Sequence, residues 1–198
     1  MKPLASSPAR TLAIVALLAA AAAALYLDQR SGQPAPDIAG PQTAREAAAG
    51  GTGFDFYVLS LSWSPSYCEA EGEDANRQQC ASGRPYAFVV HGLWPQYETG
   101  YPESCPTDDP TVSDGLVRGL YDLMPSAGLI RHQWRKHGSC TGLSQEDYFA
   151  VLRAARSAVD VPAAYRRLDD YRSVAPDTVE RDFLAANAGL PADGIAVT

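Results

Sequence analysis

Apolar and polar positions divide the chain at about residue 53. Ahead of that point lies one unbroken apolar run, Thr11 to Leu27, and then a small-residue stretch without periodicity. Behind it the pattern becomes that of a folded domain. Tyr57, Leu59, Leu61 and Trp63 alternate with smaller or polar residues, which predicts a strand within Phe54–Trp63. Pro85 to Val90 is apolar throughout, as a central strand would be, and runs straight into His91-Gly92-Leu93-Trp94-Pro95. Between the two strands, the polar and acidic residues through Cys68 and Cys80 read as a loop. Leu116, Leu120 and Leu123 share a helical face within 112–123, and Pro125 ends that pattern. A second helix is predicted over 129–137, closed by Gly138. Ser144-x-x-Asp147 reads as a helix start ahead of Tyr148-Phe149-x-x-Leu152. A further helix is predicted over about 177–187, and Ile195 to Thr198 look like the opening of a strand that is cut short. Strands and helices mixed without strict alternation predict an α+β fold, a central antiparallel sheet with helices packed around it.

The N-terminal run changes where such a domain is expected to act. Lys2 and Arg10 precede seventeen apolar residues, and no acidic residue comes before them. That is the pattern of a secretory signal, with Ala22-x-Ala24 as a cleavage site, or of an uncleaved anchor, since Leu25-Tyr26-Leu27 continues the run. Either reading sends the rest across a membrane, to the periplasm or outside the cell, with residues 11–27 as the one membrane contact. Residues 28–52 read as a flexible linker and 53–198 as a single domain with room for a core. Cys68, Cys80, Cys105 and Cys140 are even in number and, behind an export signal, read as two disulfides with three connectivities open.

The formal charge is −7, from 16 basic and 23 acidic residues. Proteins that grip long duplex nucleic acid without regard to sequence present a net basic face, so that class is disfavoured. A cleft that takes in a few nucleotides is compatible with the balance.

The chemistry concentrates in two short segments, which hold all three histidines. His91 follows the apolar strand. His132 and His137 lie in Arg131-His132-Gln133-Trp134-Arg135-Lys136-His137-Gly138-Ser139-Cys140. Imidazole can lose or gain a proton near neutrality, so two of them flanking one bond can serve as base and acid. At about 100° per helical residue, His132, Lys136, Gln133 and His137 fall in that order over an arc of roughly 140°, with Trp134 outside it and Arg135 off or at its edge. Two imidazoles, an amide and an ammonium would then line one cleft, a setting that suits the anionic transition state of a phosphodiester. Arg131 and Arg135 are expected to be solvated.

Together the two segments resemble the active-site segments of the T2-type ribonucleases, and Leu61-Ser62-Trp63-Ser64-Pro65-Ser66-Tyr67-Cys68 is similar to that family's opening strand and turn. The resemblance implies the T2-type ribonuclease fold and a metal-independent, cofactor-free endoribonuclease that cleaves single-stranded RNA. In it His91 would protonate the leaving 5′-oxygen and His137 would take the proton of the 2′-hydroxyl. His132 would hold the phosphate, and Lys136 with position 133 would stabilise the pentacoordinate transition state. The product would be a 2′,3′-cyclic phosphate, hydrolysed later to a 3′-phosphate. DNA lacks the attacking hydroxyl and would be inert. The resemblance also places Trp94 beside the base, with Tyr97 and Tyr101 in the following loop as further stacking candidates. It implies the pairing Cys105–Cys140 and, with it, Cys68–Cys80. A monomer is expected.

The chain departs from the family at three places. Gln133 stands where the family most often has glutamate, so retained but lower activity with a shifted pH profile is expected. Gln96 stands where some members carry an acidic base-reading residue, which leaves base preference open. Family members continue past the position of Thr198 into a further strand, so the last strand is expected to be incomplete. The competing readings are an inactive RNA-binding relative and a metal site of His91, His132, His137 and Cys140. Two helical histidines five residues apart, rather than four, speak against the metal.

Overall fold

The computed structural model describes residues 51–81, 83, 86–166 and 173–198, all within one compact unit that spans Ile38–Thr198. The signal or anchor segment, most of the linker and Pro85 lie outside the described residues. Among the described residues no helix is long and apolar enough to cross a membrane.

Among the described residues two antiparallel strands form the sheet, β1 (Phe56–Trp63) and β2 (Phe88–Gln96). Among the described residues six α-helices accompany them: α1 (Ser64–Glu71), α2 (Arg77–Cys80), α3 (Asp114–Arg118), α4 (Ala127–Lys136), α5 (Gln145–Ser157) and α6 (Pro176–Ala186). The α+β class expected from the pattern is the class observed.

β2 extends further than its apolar pattern predicts and takes in the whole His91–Pro95 segment. Its register explains how. Ser60 pairs with Gly92 and Leu61 with Val90, so His91 is an extra residue without a partner, a β-bulge. In a regular strand Val90 and Leu93, three apart, would face opposite sides of the sheet. The bulge lets both point into the core, where they are 0% and 1% exposed, while Gly92 stays on the other face with Trp94 and Gln96.

The core face of the sheet, with Tyr57 and Leu59 from β1, packs against Leu120, Ile130, Tyr148, Phe149 and Leu152. The Tyr148 hydroxyl donates to the Leu93 carbonyl at 2.9 Å, which joins α5 to the strand beneath the cleft. Tyr148→Phe should lower stability by about 1–2 kcal/mol, a loss of several degrees in Tm by calorimetry.

Three expectations of secondary structure are corrected. The stretch after Trp63, read as a loop, forms α1 and α2. It has almost no apolar stripe to announce a helix. Instead Pro65 sits in the first turn and Gly72, at φ 53°, closes the end. The helix expected over 112–123 is only Asp114–Arg118. Gly119 and the turn after it break off, yet Leu116 and Leu120 still reach the core. Ile195 to Thr198 form no strand. Ile195 packs beside Phe183 and Tyr165, and the Val197 amide donates to the Glu180 carboxylate at 2.8 Å.

α4 and α5 form close to the predicted positions. Ser126 and Ser144 cap them by accepting from the amides of Leu129 and Asp147. Both disulfides are present in the implied pairing, Cys68–Cys80 and Cys105–Cys140. In the chain-entropy picture they contribute about 3 and about 4 kcal/mol.

Candidate active site

Three pieces of chain build a cleft of about 380 Å³: the end of β2, helix α4, and the loop between β2 and α3. Its walls are His91, Trp94, Gln96, Tyr101, His132, Gln133, Lys136 and His137. Every side chain on the predicted helical arc is therefore in one place, and His91 faces the same space as His137. Tyr97 does not line the cleft and is exposed just beyond Gln96. Trp94 is on β2 and not in a loop, whereas Tyr101 comes from the loop. Arg131 points away and pairs with Asp114 at 2.6 Å.

His91 sits on the bulge with its Nδ1 3.3 Å from the Ser62 hydroxyl of β1. When the ring is protonated, Nδ1–H can donate there and Nε2–H remains for the cleft. Partial burial, followed by nearby His132, lowers its pKa from the ordinary histidine value.

His137 caps the C-terminal end of α4 and is 6% exposed. Its Nδ1 is buried with no hydrogen-bond partner among the described residues, so Nε2 is the nitrogen left to exchange protons. Burial lowers its pKa to about 4. Lys136, His132 and His91 add to that, and only Glu103 opposes it. The ring is thus neutral over most of the pH range. Gly138 follows it for reasons of space. A Cβ there would lie 2.5 Å from Trp134 and 2.9 Å from Tyr148.

Trp94 stands between the two imidazoles. Its ring stacks on His137 with centroids 5.4 Å apart and meets His91 edge-on at 5.9 Å. The indole N–H donates to Oε1 of Gln133 at 2.8 Å. Gln133 is 1% exposed, so this bond is its anchor. An indole N–H can only donate, which fixes the amide: its oxygen faces Trp94 and its NH₂ is left for the cleft it lines. Gly92 lies beneath the bond, where a Cβ would fall 2.1 Å from Oε1 of Gln133 and 2.2 Å from Nε1 of Trp94.

The outer wall is the loop with Tyr101 and Glu103. Three ties hold it on the end of α4: the Ser104 amide donates to the Lys136 carbonyl at 2.8 Å, Lys136 Nζ lies 3.3 Å from Glu103, and Cys105 is bonded to Cys140. Ser104 takes a left-handed backbone, φ 55°, to make the first of these. Tyr101 ends up tilted over His137, with ring centroids 6.4 Å apart.

Sequence reasoning missed Glu103 and Ser62. Nothing in the irregular stretch after Gln96 marks Glu103 as part of the site. Only the implied Cys105–Cys140 bond brings position 103 near α4. Ser62 was accessible in principle, since it alternates with Leu61 and Trp63 and so faces away from the core.

A sequence profile of the ribonuclease T2 family matches residues 54–177, well over half of the chain. The chain belongs to the ribonuclease T2 family. Among relatives, a protein of Aeromonas hydrophila named ribonuclease is 45% identical over 111 residues, which cover 55% of this chain and 48% of that protein. A probable ribonuclease of Haemophilus influenzae is 34% identical over 120 residues, 54% of this chain and 44% of that protein. The chain spans about half the length of the curated relatives it matches. Among solved structures, RNase NT in complex with 5′-AMP aligns with a TM-score of 0.52 at 25% identity, covering 68% of this chain and 73% of the other. Ribonuclease MC1 from bitter gourd seeds aligns at 0.53 with 23% identity, over 67% and 74%, a likeness of fold. The two segments with the histidines thus sit in a T2 ribonuclease fold.

Proposed function

We propose that this T2 family member is an endoribonuclease that cleaves single-stranded RNA through the substrate's own 2′-hydroxyl. The observation that carries this reading is the cleft that His91 and His137 share with Lys136, His132 and the amide of Gln133. The names of the relatives and the nucleotide bound to RNase NT support it.

Nε2 of His137 takes the 2′-hydroxyl proton as the oxygen attacks phosphorus. His91, with Nδ1 on Ser62, delivers a proton to the departing 5′-oxygen. A 2′,3′-cyclic phosphate results, and water opens it to a 3′-phosphate with the two rings exchanging roles. Lys136 and His132 meet the charge on the non-bridging oxygens, and the Gln133 amide donates to one of them. Trp94 and Tyr101 offer ring faces for the base. No metal or cofactor has a part in this scheme, and DNA is not a substrate. In the same reading the protein is exported, to the periplasm or the medium, and acts as a monomer. The two disulfides, which persist in oxidising compartments, support export.

Reaction of the protein with poly-U and poly-A in EDTA, followed across pH, tests the scheme. Cyclic-phosphate ends should accumulate. The base must be neutral, and the His137 pKa of about 4 puts the acidic limb of kcat/KM there. The acid must be protonated, and the lowered pKa of His91 puts the upper limb below 6.5. The optimum should therefore be acidic. Intact polymer at every pH would leave an RNA-binding relative as the answer, and loss of activity in EDTA alone would point to a metal.

A further inference from the structure

Among the described residues the large apolar side chains left exposed are Phe56, Val58, Tyr97 and Tyr101, at 44%, 37%, 42% and 50% exposure. All four belong to the two chain segments beside the cleft. The strand register sets two of them directly against its floor: Val58 pairs with Trp94 and Phe56 with Gln96. Paired residues of an antiparallel ladder point to the same face. Tyr57 and Leu59, between and beyond, face the core. Phe56 and Val58 thus continue the cleft floor outward along β1 as an apolar shelf. Phe56 is roughly 7 Å beyond Val58 along the strand.

Resting on the reading of the cleft as an RNA site, we propose that this shelf is a further base subsite. Phe56 stacks an unpaired nucleobase of a nucleotide outside the one held by Trp94, with Val58 against the base edge. The occupant follows from the chemistry of the surroundings. The charged residue next to Phe56 is acidic: Asp55 precedes it, and its carboxylate, which accepts from the Glu98 backbone amide at 2.8 Å, ties this end of β1 to the loop after β2. A phosphate gains nothing there, so the ligand must be engaged through an uncharged face. A base offers such a face, and ring stacking is indifferent to base identity. The contribution of the shelf should also be insensitive to salt, unlike that of Lys136, because no counterions are released.

The test uses the full chain and 2′-deoxy oligothymidylates, which lack the attacking hydroxyl and so report binding alone. Phe56→Ala should weaken binding of the tetranucleotide by roughly tenfold, the scale of one stacked base lost, and leave the dinucleotide unaffected. The loss should be the same at low and high salt, and Phe56→Trp should restore affinity. Equal losses for both lengths, no loss for either, or no binding of the tetranucleotide by the unaltered protein would overturn the proposal. So would a change in oligomeric state with unchanged oligonucleotide affinity, which would make the shelf a contact between copies. Failure of RNA cleavage would defeat the nuclease reading and leave these binding results decisive for the shelf.

Discussion

Gly92→Ala is expected to disable the site out of proportion to the one methyl group it adds. The new Cβ would sit 2.1 Å from Oε1 of Gln133 and 2.2 Å from Nε1 of Trp94, the two ends of one hydrogen bond. Gln133 has no room to retreat, being 1% exposed, and the indole is a rigid plate. The bond must break. Trp94 then loses the contact that sets its tilt against His137, and the Gln133 amide loses the partner that turns its NH₂ to the cleft. Overpacking of this kind costs about 1–3 kcal/mol, so the protein should remain folded with a Tm several degrees lower. The rate should suffer more: kcat/KM on RNA is expected to fall by about a hundredfold, since small misplacements of positioned groups cost that much. Kinetics beside thermal unfolding would check this. A variant with native kcat/KM would show that the Trp94–Gln133 bond does not organise the site.

Removing either imidazole should have the larger effect on chemistry, and the two removals should differ in kind. His137→Ala and His91→Ala are each expected to lower kcat/KM by about 10²–10⁴. Without His137 the acidic limb near pH 4 should vanish, because the group that must be neutral is gone. Without His91 the upper limb should vanish instead. A substrate with a good leaving group, such as a nucleoside 3′-(4-nitrophenyl phosphate), separates the roles further. Nitrophenolate departs without a proton, so His91→Ala should recover much of its rate on it and His137→Ala should not. Recovery in the opposite sense would exchange acid and base. Circular dichroism of both variants should match the parent.

The site was more legible in the sequence than the sheet that carries it. The helical arc at His132, Gln133, Lys136 and His137 needs only 3.6 residues per turn, and α4 forms close to the stretch that Gly138 was expected to close. The extent of β2 was hidden because the bulge at His91 breaks period two at the segment of interest. α1 was hidden for another reason. It is held by its disulfide and short ties and not by an apolar stripe, so there is no periodicity to read. The deep burial of Gln133 was also illegible. An amide in a polar helix looks like surface until Trp94, 39 residues away, supplies the partner that makes burial tolerable.

The unpaired residue at His91 bears on how this strand can change. Val90 and Leu93 are both locked into hydrocarbon, so the imidazole between them is aimed by the number of residues separating two fixed points. Side-chain substitutions nearby leave that number alone. Insertion or loss of a single residue does not: loss would leave one residue between Val90 and Leu93 and erase the bulge, insertion would leave three and enlarge it, and either would re-aim the imidazole. Between residues 90 and 93 the aim of the imidazole therefore depends on the length of the segment as much as on its letters.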